Sequence, residues 1–99
     1  YGVHLLAEEQ SLLSDRFAGR LADQEDRFAG LDARPGLTGV PVLADAMAYL
    51  ECEVDAAHEA GDHTIFVGRV VACGVRADDR RPLVYHNTRY TGLRRASDG

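Results

Sequence analysis

Two stretches of the chain alternate with the period of a strand, one recurs with the period of a helix, and together they set the outline. From Ala48 to Asp55, Leu50, Cys52 and Val54 face one way while Tyr49, Glu51, Glu53 and Asp55 face the other. That is the pattern of a half-buried antiparallel strand with a solvated acidic face. From Thr64 to Val75, Ile65, Val67, Val71, Cys73 and Val75 share a face interrupted by Arg69, and Phe66, Val70 and Ala72 share the other. Apolar residues on both faces predict a central strand covered on both sides. Gly68 and Gly74 predict bends or close backbone approach within it. The segment AAHEAGD between the two strands is expected to form their turn.

Upstream, Tyr1 to Leu6 reads as a short strand with Tyr1, Val3 and Leu5 on one face. The next segment, AEEQSLLSDRFAGR, reads as an amphipathic helix. Glu8 and Glu9 sit where its N-terminus favours negative charge, Leu13, Phe17 and Leu21 form its apolar stripe, and Gly19 ends or interrupts it. The pentapeptide Asp-Arg-Phe-Ala-Gly occurs at Asp15–Gly19 and again at Asp26–Gly30, a spacing of about three helical turns. It reads as a coincidence of two helix ends, because solenoid repeats are longer and more numerous. Residues 32–41, rich in Pro and Gly, read as a loop. A polar turn, RADDRR, precedes a last short strand in PLVYH, followed by NTRYTGL. The order of elements predicts a mainly β fold with one or two helices, an antiparallel barrel with a helix across one end. An open sheet would leave its edges exposed.

Composition narrows the function classes. The 99 residues, 45% hydrophobic and 27% charged, suit one globular domain or a piece of one. A chain this short gains stability from a partner chain. A formal charge of −5 argues against a nucleic-acid partner, which needs a clustered basic surface; Arg80-Arg81 and Arg94-Arg95 are too short to supply one. Cys52 and Cys73 lie far apart and read as reduced, buried thiols in a cytoplasmic protein. No apolar run approaches the roughly 20 residues of a membrane span, and no signal-peptide pattern is present. The chain opens with Tyr1 inside the apolar run YGVHLL, like the middle of a strand, so a fragment is expected.

Residues that could carry chemistry are few. No nucleophile elbow or Cys/His signature surrounds Ser11, Ser14, Thr64 or the cysteines, which argues against a hydrolase. His58 and His63 flank a turn without a HExxH or carboxylate–histidine set, so no metal site is expected. Glycine-rich phosphate loops are absent as well. What stands out is Gly61-Asp62-His63, which delivers an imidazole to the entrance of an apolar strand.

The ordered segments VHLLAEEQSLLSDRFA, DRFAGL, GVPVLADAMAYLECEV, GDHTIFVGRV and PLVYHNTRYTGL together resemble the C-terminal part of the short-chain flavin reductase family. The resemblance runs from about Val3 to Leu93. It implies an FMN-binding split barrel, incomplete at its N-terminus, with residues 1–99 forming the C-terminal portion of a single domain. It also implies a homodimer that passes hydride from NADH or NADPH to FMN or FAD and supplies reduced flavin to a monooxygenase component. Such chemistry asks the protein chiefly to stack two rings and stabilise charge, which accounts for the lack of a catalytic dyad.

Carried over by resemblance, Gly61, Asp62 and His63 match the family's GDH motif beside flavin and nicotinamide. Gly61 would permit a tight turn, Asp62 would fix it by bonding backbone amides, and His63 is the expected catalytic residue. Ser14, Arg16, Phe17 and Ala18 match a segment near the flavin, and Arg89 and Tyr90 one that reaches the partner subunit's pocket. Asn87-Thr88 stands where many relatives have a glycine. Two other readings remain: a flavin-binding split-barrel protein without turnover, and an inert truncated domain.

Overall fold

In the computed structural model, which describes residues 1–19, 26–76 and 79–94, a long hairpin dominates. Its strands are β4 (Ala48–Ala60) and β5 (His63–Val75), preceded by β1 (Gly2–Leu5), α1 (Ser11–Phe17), β2 (Ala33–Pro35) and β3 (Pro41–Leu43) and followed by β6 (Val84–His86) and β7 (Arg89–Thr91). All pairings between them are antiparallel, in three sheets ordered β1-β4-β5, β2-β3 and β6-β7. The described strands do not close a barrel.

The AAHEA segment, expected as a turn, continues β4, and only Gly61 and Asp62 make the reversal. Gly61 has φ 64°, and a glycine of positive φ at the first central position closes a hairpin in two residues. The alanines then pair across from Val67, Phe66 and His63, so the ladder overrides their weak strand preference. Two register shifts punctuate the hairpin, one between Glu51 and Cys52 and one between Val54 and Ala56. They leave Val71 and Asp55 as extra residues and add bend and twist.

The expectation of a central, covered strand at 64–75 is corrected. β5 pairs only with β4 and forms a sheet edge, and Ile65 and Phe66 are 56% and 59% exposed. Towards the hairpin tip its apolar residues stay largely open among the described residues. The glycine reading fares better: a Cβ at Gly68 would overlap the Tyr1 hydroxyl, and one at Gly74 would overlap the Tyr49 ring.

The loop expected at residues 32–41 is also corrected. β2 and β3 form a small hairpin in which Pro35 faces Pro41, tolerable because prolines at an edge withhold no needed donor. The same hairpin explains Glu51, which was expected on a solvated face and is 2% exposed. Its carboxylate accepts from the Leu37 and Thr38 amides, both at 3.1 Å, and from the Thr38 hydroxyl at 3.0 Å. A Cβ at Gly36 would collide with that carboxylate, so glycine is needed there.

Among the described residues the core is small: Ala7, Leu43, Ala46 and Cys52, with Gln10 and Glu51 as buried polar groups; Cys73, expected to be buried, is exposed, because it lies on the edge strand β5. Gln10 accepts from the Ala7 amide at 2.8 Å and donates to the Asp45 carbonyl at 3.0 Å. It thereby ties the start of the helical segment to the β3–β4 connection. Gly19 ends the helix at φ 75°, a glycine in the left-handed region beyond the last turn. Leu21, expected on the helix stripe, lies outside the described residues, as do Ala77 and Asp78 of the RADDRR turn and Arg95. Among the described residues no helix is long and apolar enough to cross a membrane.

Candidate functional site

Residues singled out from the sequence fall into two groups at different ends of the hairpin. Gly61, Asp62 and His63 form its exposed tip. Asp62 does not brace the turn through backbone amides as expected. Two-residue closure leaves it facing its neighbour instead, and its Oδ1 lies 2.5 Å from His63 Nδ1. β1 reaches only as far along β4 as Cys52, whose amide donates to the Tyr1 carbonyl at 2.8 Å. From Cys52 to Ala60 the strand projects about 27 Å at ~3.4 Å per residue.

The second group gathers around α1. The Tyr90 hydroxyl lies 2.7 Å from Asp15 Oδ1 and 3.0 Å from Ser14 Oγ. The carboxylate can only accept, so the tyrosine proton goes to Asp15 and the serine is left to donate to the tyrosine oxygen. These bonds pin β7 to α1. Ser14 and His4 line two adjoining cavities, one of about 440 Å³ with Leu13, Phe17, Phe28 and Leu43 in its wall, the other of about 360 Å³ reaching Leu83 and Tyr90.

Phe17 stacks edge-on to Phe28 with centroids 5.0 Å apart. Arg16 donates to the Ala29 carbonyl, while Arg27 donates to the Phe17 carbonyl at 3.0 Å. The two copies of Asp-Arg-Phe-Ala-Gly thus clasp each other, arginine to backbone in both directions. This pairing escaped the sequence, where the repeat looked like chance. The Arg16 Nη2 is committed to this clasp, and its buried Nε has no partner among the described residues. Ala18 caps α1 through its amide, 2.9 Å from the Ser14 carbonyl.

Arg89 is exposed and pairs across from His86. Between them Asn87 and Thr88 have φ 53° and 61°, both left-handed, as a two-residue hairpin of the I′ class demands. The residues that usually satisfy it are Gly, Asn and Asp; a β-branched Thr is strained there.

Electrostatics single out two groups that sequence reasoning passed over. The Thr38 backbone amide holds Glu51 below the usual carboxylate range, with the Leu37 amide, the Thr38 hydroxyl and the N-terminal charge assisting and burial opposing. Burial lowers the His4 imidazole, whose Nε2 accepts from the Leu43 amide at 3.0 Å. Neither role follows a local motif. The partners of each lie in another element, so only the strand alternation of YGVHLL and LECEV hinted that these side chains choose a face.

Comparison with known proteins gives this arrangement its context. The family model described as "Flavin reductase like domain" matches residues 1–94. The NADH-dependent flavin reductase StyB of Pseudomonas fluorescens is 40% identical over 96 residues, covering 93% of this chain and 52% of that protein. The flavin reductase (NADH) of Kitasatospora aureofaciens is 44% identical over 92 residues, covering 91% and 47%. Among solved structures, nitrilotriacetate monooxygenase component B from Mycobacterium thermoresistibile superposes with a TM-score of 0.84 at 33% identity, covering 94% of this chain and 51% of that one. The expected fold, mainly β and of the split-barrel type, is therefore borne out. The chain spans about half the length of the curated relatives it matches. It belongs to the flavin reductase like domain family.

Proposed function

We propose that these residues are the C-terminal portion of a single flavin reductase-like domain of an NAD(P)H:flavin oxidoreductase. The intact protein moves a hydride from NADH or NADPH to FMN or FAD and supplies the reduced flavin to a partner monooxygenase in the cytoplasm. The observation that carries this reading is the continuous match of residues 1–94 to the family, with relatives named as NADH-dependent flavin reductases and as reductase subunits of monooxygenases. A bound flavin supplies the hydride acceptor.

This chain's own residues fit part of what such a ligand needs. The exposed tip offers His63 as a polar contact for the nicotinamide–flavin pair. Ser14 contributes a hydroxyl, and Phe17 an aromatic wall. Arg16 serves by holding α1 against the second pentapeptide, Ala18 by ending the helix, and Arg89 and Tyr90 by presenting the β6–β7 hairpin. A phosphate cradle is not found among the described residues. The two groups stand apart within one chain, and the hairpin between them exposes Val54, Ile65, Phe66 and Val70. Both features favour a homodimer that completes the site.

The test is pyridine-nucleotide oxidation by the intact protein with and without added FMN or FAD. Flavin-dependent turnover is expected, together with none from the 99-residue chain alone. His63→Ala should raise the Michaelis constant for NADH or slow hydride transfer, and unchanged kinetics would remove His63 from the site. A flavin that stays bound and oxidised in excess NADH would replace this reading with that of a carrier. The open sheet favours a further reading of the chain on its own, as an inert domain that only pairs with another chain.

A further inference from the structure

The β2–β3 hairpin is attached to the main sheet through side chains rather than through a ladder. Its two strands pair only with each other. Among the described residues, its hydrogen bonds to the β1-β4-β5 sheet run to two side chains. At its turn, the Leu37 and Thr38 amides and the Thr38 hydroxyl donate to the Glu51 carboxylate of β4 at 3.0–3.1 Å. At its base, the Leu43 amide donates to Nε2 of His4 on β1 at 3.0 Å. Packing is just as uneven. Leu43 is buried, whereas Leu37 at the turn is 77% exposed. The base is therefore held by packing as well as by His4, and the turn by Glu51.

Both side chains accept through atoms that a proton would occupy. A protonated imidazole has two donors and no acceptor, and a protonated carboxyl group loses its charge and part of its accepting capacity. The His4 ring is faced by Tyr49 of β4, with centroids 6.4 Å apart. It shares its two cavities with Tyr1, Ser14 of α1, Leu43, Tyr85 and Tyr90, and no carboxylate among the described residues lines either one. Asp15, on the far side of Tyr90, is bonded to that hydroxyl. A charge on His4 would thus meet apolar wall and neutral hydroxyls, and burial already lowers the imidazole. Glu51 pairs across from Gly2 of β1 and Ala72 of β5, neither of which titrates. The Tyr1 amino group adds a small preference for the ionised carboxylate, on which the three hydrogen bonds do not depend.

The hairpin walls two cavities, one of about 440 Å³ through Val40, Pro41 and Leu43 and one of about 600 Å³ through Arg34, Val42 and Leu43. We propose that it is a flap over these cavities, hinged at Leu43 and held shut by Glu51 and His4, and that acid frees it while the β1-β4-β5 sheet stays paired. His4 lets go first, because imidazole titrates above carboxylate, and its release loosens the hinge. Release of Glu51 then frees the turn. Each latch holds above the ordinary range of its group and is lost as pH falls through the lowered folded value. The device belongs to the fold and operates whether or not a flavin is bound.

Amide hydrogen exchange in the intact protein, from about pH 7.5 to about pH 4, tests the flap, each rate taken relative to its intrinsic value at that pH. Leu37 and Thr38 report the turn and Leu43 the base. Met47 and Cys52, whose amides donate to the Leu5 and Tyr1 carbonyls, report the sheet. Protection should fall at Leu43 across the imidazole range and at Leu37 and Thr38 across the carboxylate range. Each loss should be about tenfold, the equivalent of one hydrogen bond, with Met47 and Cys52 unchanged. Hairpin amides that open only together with Met47 and Cys52 would overturn the proposal, as would protection indifferent to pH.

Two variants separate the latches. Glu51→Gln sets an NH2 donor against the donors of the turn, so Leu37 and Thr38 should lose about tenfold in protection at neutral pH, with the sheet unchanged. His4→Gln supplies an uncharged acceptor of similar reach that does not titrate. It should keep Leu43 protected at neutral pH and abolish the loss across the imidazole range. A Glu51→Gln turn as protected as the wild type would overturn the role of Glu51. A His4→Gln protein with the wild-type step at Leu43 would overturn that of His4. Where Glu51→Gln fails to fold, the wild-type profile over pH still decides.

Discussion

Along one pair of strands the hairpin has two environments. Between Ala48 and Cys52, β4 is flanked by β1 on one side and β5 on the other, and Cys52 and Glu51 are buried. From Val54 to the tip the same two strands continue, and Val54, Ile65, Phe66 and Val67 are exposed. The difference lies in what surrounds the strands. An apolar alternation states what a strand can bury, and a second layer decides whether it does. In the anchored half that layer comes from β1, the β2–β3 hairpin and the helical segment. In the projecting half nothing in the described residues supplies it.

The largest expected contrast comes from deleting apolar bulk on either side of that divide. Leu43→Ala, in the anchored half, should cost about 2–4 kcal/mol, the usual price of a large-to-small change in a core. Phe66→Ala, in the projecting half, should change the folding free energy of the chain by less than ~0.5 kcal/mol, as exposed substitutions do. Denaturant unfolding of both variants checks it. Similar losses would mean that the projecting half is covered in solution.

Glu51 offers the next test. Its pKa is depressed in the folded chain, so the unfolded chain binds the proton more readily. The stability it contributes is present above the unfolded value and is lost as pH falls from the ordinary carboxylate range through the depressed folded one. Glu51→Gln should lower the melting temperature at neutral pH and flatten the acid limb of the stability profile. His4 acts in the same sense at higher pH, because its folded pKa is also lowered. Stability should decline as pH drops below the ordinary imidazole range, since a protonated Nε2 can no longer accept from Leu43. Amide exchange at Leu43 would register that loss directly.

A smaller effect is expected at Tyr90. Its hydroxyl ties β7 to Ser14 and Asp15, placing the β6–β7 hairpin with the anchored half. Tyr90→Phe should cost about 1.5 kcal/mol, the low end for a hydrogen bond to a charged acceptor because the pair is only part-buried. It should also increase exchange of the β6–β7 amides while leaving the hairpin tip unchanged.

How much of this was legible in the sequence follows the same divide. The long hairpin, its Gly-Asp reversal and the short helix were written in local periodicity and in one glycine. The register shifts at Val71 and Asp55 were not, because a bulge leaves the alternation on either side intact and shows only in the pairing. The β2–β3 hairpin was hidden by prolines that are harmless at an edge. Glu51 looked solvated because two acidic neighbours followed it at strand spacing, while its partners, Leu37 and Thr38, sit in a loop more than ten residues upstream. For the candidate site, Gly61-Asp62-His63 was visible as a motif. The mutual clasp of the two pentapeptides and the Asp15–Tyr90 bond were invisible, because both depend on elements far apart in the chain.

The smallest folding effect, and the one that bears most on function, is expected from a polar substitution on the projecting half. Phe66→Ser should leave the stability of the isolated chain within ~0.5 kcal/mol of the wild type, because an exposed ring has little burial to lose. An apolar surface of this kind marks a contact surface, and an edge strand beside it invites pairing. The same substitution should therefore weaken self-association, read as a shift toward monomer in sedimentation over a concentration series. Weakened association without destabilisation would show that the bare half of the hairpin serves an interface. Unchanged association would place any contact between copies elsewhere.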